Sequence, residues 1–158
     1  MLLVLFTLGS QRYGLDAGVV EMIVPALPLR AVPGTPPAVV GVFAFRNQVT
    51  PVIDLAQLAL GQPARPAMSS RYVVTRFPLA GGTERFLALL AERVNEVCDV
   101  PDDRLRPPGV RSPGAPFLGP VADTPGGLVQ TVTLAQLLPP ELQALLFAEE
   151  PAAPSSAP

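Results

Sequence analysis

A mainly β chain made of two related halves is what this sequence predicts, on three observations. The 21 prolines and 13 glycines cut the 158 residues into short pieces, which suits many short strands and turns better than long helices. Within residues 41–55, apolar stretches rich in β-branched and aromatic residues enclose Arg46-Asn47-Gln48, the pattern of two strands joined by a tight connection. Short motifs also recur in the same order along the chain. Ile53-Asp54-Leu55-Ala56-Gln57-Leu58 returns as Val132-Thr133-Leu134-Ala135-Gln136-Leu137, 79 residues later. Val19-Val20-Glu21-Met22 is mirrored by Val94-Asn95-Glu96-Val97, Pro33-Gly34 by Pro108-Gly109, and Val40-Gly41 by Leu118-Gly119. Two copies argue for paired half-domains, since a solenoid needs at least about three repeats.

Taken in order, residues 2–8 and 12–24 read as an opening pair of strands around a turn that starts at Gly9. Glu21 interrupts the second of these, which places it on the solvent face of a half-buried strand. Residues 25–37 form a Pro-rich irregular loop. In the next block, Asn47 suits a turn because Asn tolerates positive φ, and Arg46 projects from that turn. Asp54 precedes the helix-forming run Leu55–Leu60, where its carboxylate can accept from first-turn amides, and Gly61 ends the helix. Residues 61–70 are a connector between the halves. Residues 71–77 and 86–91 read as a hairpin around Gly81-Gly82-Thr83-Glu84, with 94–100 continuing as strand. A second Pro-rich loop, 101–116, leads to a strand at 128–132 and a helix N-capped by Thr133. A last helix starts at Pro140, runs to about Ala148 and presents Leu142, Leu145 and Leu146 on one face. Residues 148–158 are rich in Ala, Pro and Ser and read as a disordered tail.

The composition excludes several activities. Every one of the 11 cations is Arg and none is Lys; the net charge is -2 and the arginines are dispersed, which gives no basic stripe for nucleic acid. A mean hydropathy of +0.39 supports a substantial core, yet no run approaches the roughly 18 apolar residues of a bilayer span. Residues 1–6 have neither a basic n-region nor a cleavage site, so a cytoplasmic location is expected. Without His, Lys or Trp, the usual general base, Schiff-base amine and imidazole ligand are missing. Cys98 is the single cysteine, with Val97 and Val100 nearby, and reads as a core thiol. Asp99, Asp102 and Asp103 cluster without calcium-loop spacing and read as a solvated acidic turn. Neither a metal nor another cofactor is expected.

The order of an apolar strand, Tyr13-Gly14-Leu15-Asp16, Val19-x-Glu21, the Pro33 loop, Gly41-Val42-x-x-x-Arg46, Pro51-Val52-Ile53-Asp54-Leu55, and Leu118-Gly119 before a Leu-rich segment resembles the CheW-like chemotaxis coupling proteins. The resemblance spans residues 1–147 and is strongest at 41–55, where the family pattern is Gly-Val-x-Asn-x-Arg-Gly, an apolar strand and Asp-Leu. It implies two packed five-stranded SH3-like β-barrels with short helices and a C-terminal helix. It further implies a non-catalytic adaptor, monomeric in isolation, that couples the cytoplasmic tip of a methyl-accepting chemoreceptor to the regulatory domain of a histidine autokinase. By transfer along the motif, Glu21, Gly41, Arg46, Asn47 and Gly119 are the interface residues. For Gly41 and Gly119 a purely backbone role is equally open. The sequence departs from the family at Asn47, where the pattern has Gly, and at Ala44, where it has Asn. No Arg occupies the corresponding turn of the second half, Asp123-Thr124-Pro125-Gly126-Gly127, which fits a coupling protein of a non-flagellar pathway. A free-standing relative of the kinase regulatory domain that inhibits rather than couples, and a small β-barrel ligand-binding module or enzyme, remain as alternatives.

Overall fold

The computed structural model describes residues 1–65 and 67–147, with Asn95 described by its backbone alone. These residues form β1 (Leu2–Leu8), β2 (Gln11–Asp16), β3 (Val20–Pro25), β4 (Val39–Phe45), β5 (Gln48–Asp54), α1 (Leu55–Leu60), β6 (Arg71–Pro78), β7 (Glu84–Asp99), β8 (Leu105–Arg106), β9 (Leu118–Thr124), β10 (Gly127–Val132) and α2 (Pro140–Leu146). The mainly β prediction agrees with this order of elements.

The strands are joined through β7. Its first half pairs antiparallel with β6 and parallel with β5; its second half pairs antiparallel with β1. The sheet therefore divides into a first lobe, β3-β6-β7-β5-β4, and a second, β7-β1-β2-β10-β9-β8. Between the pairs Thr7–Glu92 and Leu5–Glu96 the register slips, and Arg93 in that slip has a φ of 50°. Such a bulge bends a strand, here at the point where β7 leaves one lobe for the other.

Residues 12–24, expected as one strand, are broken. The Asp16 carboxylate accepts from the Gly18 amide at 2.9 Å and starts a 3-10 turn at Ala17–Val19. This sends β2 into the second lobe and β3 into the first. Residues 61–70 join α1 to β6, a strand of the same first lobe as the β5 that leads into α1. The recurring motifs still fall on corresponding elements. Glu21 and Glu96 lie on β3 and the second half of β7, Gly41 and Gly119 near the starts of β4 and β9, and Asp54 and Thr133 at the ends of β5 and β10.

The two caps differ. Asp54 accepts from Gln57 N at 3.2 Å and from Ala64 N at 2.8 Å, and Gly61 closes α1 in the left-handed region. Thr133 makes no side-chain cap bond, and the helix expected after it is a single 3-10 turn, Leu134–Gln136. Pro139 disfavours the helical region for Leu138 and leaves no room for a further turn. The loop 101–116 holds a 3-10 turn at Asp102–Arg104 and the short strand β8, paired with β9. In α2, Leu142 is buried but Leu145 is half-exposed, so the buried face is narrower than expected. The predicted tail, 148–158, lies outside the described residues.

Strand alternation distributes the apolar side chains. In β6, Tyr72 and Val74 face a core private to the first lobe, while Val73 and Phe77 face the other way; in β7, Ala88 opposes Leu87 and Leu89 in the same manner. In β1, Leu3 and Leu5 enter a core private to the second lobe, and Phe6 and Leu8 leave it. The side chains directed away from the private cores meet in one cluster that also holds Ile53, Leu55, Phe117, Leu137 and Leu142. Strands buried on both faces read as unbroken apolar runs, which accounts for Phe86-Leu-Ala-Leu-Leu-Ala91. Cys98 is half-buried and packs at the margin of the second-lobe core.

Candidate functional site

The β4–β5 hairpin closes through two residues, Arg46 and Asn47, with φ of 48° and 63°. Two successive positive φ values are the signature of a type I′ turn, whose twist matches that of paired strands. The sequence accounted for Asn47 in this geometry but not for Arg46, whose Cβ makes the left-handed region unfavourable. Rather than projecting free, the Arg46 side chain folds back. Its guanidinium lies 4.9 Å from the centre of the Phe45 ring and donates from Nη1 to Glu21 Oε1 at 2.5 Å. Half of the side chain remains exposed.

Glu21 is consequently not a solvated residue of a half-buried strand. Its second oxygen, Oε2, accepts from Arg76 Nη1 at 2.5 Å, and Arg76 Nη2 also donates to the Gly18 carbonyl. One carboxylate thus ties together β3, the β4–β5 turn and β6, and Arg76 extends the link to the 3-10 turn before β3. Hydrogen bonding to Arg46, and then to Arg76, holds the Glu21 carboxyl below its usual range. Two cations around one anion leave the cluster with a net positive charge. Apolar residues flank it: Met22 and Ile23 follow Glu21 along β3 and Val49 follows the turn, all three exposed.

The two glycines lie elsewhere and have backbone reasons. Gly41, at φ 154°, sits where a Cβ would come within 2.7 Å of the Arg30 carbonyl oxygen. Arg30 exchanges two backbone hydrogen bonds with Val42, each 2.9 Å, so the Pro-rich loop lies directly along β4. Tyr72 secures the same loop by donating to the Leu27 carbonyl at 2.5 Å. A Cβ at Gly119 would come within 2.7 Å of Thr131 Oγ1, and that hydroxyl is committed to the Pro120 carbonyl. The structure thus joins Glu21, Arg46 and Asn47 at one hairpin tip. Gly41 stands farther along the same hairpin, and Gly119 belongs to the other lobe.

The second lobe has a counterpart that the sequence reading missed. Its β9–β10 turn has no Arg, but Arg12 from β2 donates to Glu96 at 3.2 Å and to Thr124 Oγ1, beside that turn, at 3.0 Å. A side chain at Gly126 would collide with that guanidinium. Both lobes therefore link the recurring Glu to a hairpin tip through arginine, supplied by the tip itself in the first and by β2 in the second. The ordered recurrence of Glu21 and Glu96 was the available signal.

Between the lobes, an open groove of about 1000 Å³ is lined by the β1–β2 turn, α1, Gln62, Pro63, Ala67, Ser69 and the bend of β7, with Arg12, Arg65, Arg93, Glu92 and Glu96 along it. The buried carboxylate of Asp54 is used by backbone amides. Among the described residues, no group of three or more His, Cys, Asp or Glu side chains is placed to hold a metal ion, and no helix is long and apolar enough to cross a membrane.

Comparison with known proteins gives three matches. The model of the CheW-like domain family matches residues 2–141. A probable chemotaxis protein CheW from Rhizobium etli is 30% identical over 105 residues, which are 66% of this chain and 64% of that protein. The chain therefore spans just under two thirds of that relative's length. The crystal structure of the scaffolding protein TtCheW from Thermoanaerobacter tengcongensis superposes with a TM-score of 0.75 at 24% identity, covering 87% of each chain. That likeness is one of fold.

Proposed function

The chain belongs to the CheW-like domain family, and from that premise we propose that it is a non-catalytic adaptor coupling chemoreceptors to a histidine autokinase. In this reading the chain works in the cytoplasm, recruited to membrane-associated receptor arrays, and its partners are a receptor's cytoplasmic tip and the kinase regulatory domain. The observation that carries the proposal is the Glu21–Arg46 pair at a hairpin tip flanked by exposed Met22, Ile23 and Val49. A guanidinium with unused donors beside apolar surface is suited to a protein partner that offers a carboxylate. Modest contact area suffices, because contacts repeated across an array reinforce one another.

Within this proposal Glu21 and Arg46 form the contact, Asn47 shapes the turn that presents Arg46, and Gly41 and Gly119 support it through the fold. Substituting Arg46→Glu places two carboxylates together and removes the donor. Co-sedimentation with receptor-containing membranes should fall at least about tenfold while the variant keeps its circular dichroism and a cooperative melt. Normal co-sedimentation by the folded variant would refute the assignment of Arg46.

A further inference from the structure

Arg76 has no part in the resemblance to the family motif, yet it shares Glu21 with Arg46. Left alone with one carboxylate, an arginine favours the two-bond fork in which both oxygens accept from one guanidinium. Here Oε2 is occupied by Arg76, and Arg46 is held through Nη1 alone. Arg76 is itself fixed from a second side by the Gly18 carbonyl, next to the 3-10 turn that redirects the chain into β3. The remaining N–H groups of Arg46 accordingly have no acceptor among the described residues, on a side chain that is half-exposed and set against the Phe45 ring.

We propose that Arg76 is a positioning residue for partner recognition: by occupying one oxygen of Glu21 it prevents the intramolecular fork and keeps the outer edge of the Arg46 guanidinium available for a carboxylate on a protein partner. The inference rests on the reading of Arg46 as a contact residue, and it assigns the specificity of that contact to charge. With one anion shared by two cations, the tip carries a net positive charge that favours an acidic partner surface and disfavours a basic one. Without Arg76, Glu21 would close on Arg46 with both oxygens, and the tip would become neutral and internally satisfied.

The test is a double-mutant cycle on the full chain. Its probe is a chemoreceptor cytoplasmic-tip fragment that binds the unsubstituted protein. Arg76→Gln should weaken binding about five- to tenfold, as expected for impairing one charge-assisted hydrogen bond, and should have almost no effect in an Arg46→Gln background. Arg76→Lys, which retains a donor for Oε2, should recover part of the loss. Carbon-13 NMR of the Glu21 carboxyl should show its pKa rising in Arg76→Gln, which reports the lost contact independently of binding. If Arg46→Gln leaves binding unchanged, the contact reading falls and this inference with it. If Arg46→Gln weakens binding while Arg76→Gln does nothing, or weakens it equally in both backgrounds, only the positioning role of Arg76 is overturned.

Discussion

At position 46 a cation occupies a backbone conformation that its Cβ disfavours, and an anion 25 residues away restrains it. The strain is of order 1–2 kcal/mol per left-handed residue, less for Asn. Asn47→Gly, which restores the family's residue, should relieve the second position and raise stability by up to about 1 kcal/mol with receptor binding retained. Denaturant titration alongside the co-sedimentation assay checks both halves of that statement. Glu21 supplies a second prediction. Its folded-state pKa lies below the unfolded value of about 4.3, so its ion pairs contribute fully above that value and are lost as pH falls through the lower folded value. Urea unfolding between pH 6 and about pH 3 should show an acid-dependent loss of stability that is smaller in Glu21→Gln. An identical pH profile for both proteins would remove the stabilising role of the cluster. Sequence alone exposed Arg46 and Asn47, because a turn is a local pattern. It could not pair Arg46 with Glu21, since that contact depends on how β3 and the β4–β5 hairpin are brought together. Nothing local marks Arg76, a half-buried residue that follows four buried ones in β6, as a partner of Glu21.

Among the elements, local chemistry was legible where a side chain bonds its own neighbourhood and illegible where a distant segment decides. The run that follows Asp54 marks it as the cap of α1, but its second bond, to Ala64, comes from a loop whose path no local pattern specifies. Asp54→Ala therefore does more than shorten a helix. It should cost about 1–3 kcal/mol in chemical denaturation, because a buried carboxylate position would leave two backbone amides without their acceptor. A loss of only a few tenths would mean that water replaces the carboxylate at both amides. The opposite error occurred at Thr133, where the motif recurs but Pro139 and Pro140 confine the chain to one 3-10 turn. Likewise residues 12–24 look like one strand in hydropathy. The Asp16 side chain breaks them by capping the turn that sends the two parts into different lobes.

For the whole molecule, recurrence in the sequence located equivalent elements but not the interleaving of the lobes. Both lobes share β7, and the opening hairpin β1–β2 completes the second lobe from the far end of the chain. Pairing of this kind leaves no trace in periodicity, because it depends on which distant strand edges meet. The largest core cluster among the described residues takes side chains from both lobes, which joins them through one apolar core and leaves each with its own, differently built arginine-linked hairpin tip. In the proposed coupling role, the two unlike tips would serve two unlike partners. The measurement that tests this most directly is autophosphorylation of the histidine kinase reconstituted with receptor-containing membranes, with and without this chain. Kinase activity should become receptor-dependent only when the chain is present, and Arg46→Glu should abolish that dependence. Receptor control that persists without the chain, or a chain that suppresses the kinase equally with and without receptor, would contradict a coupling role.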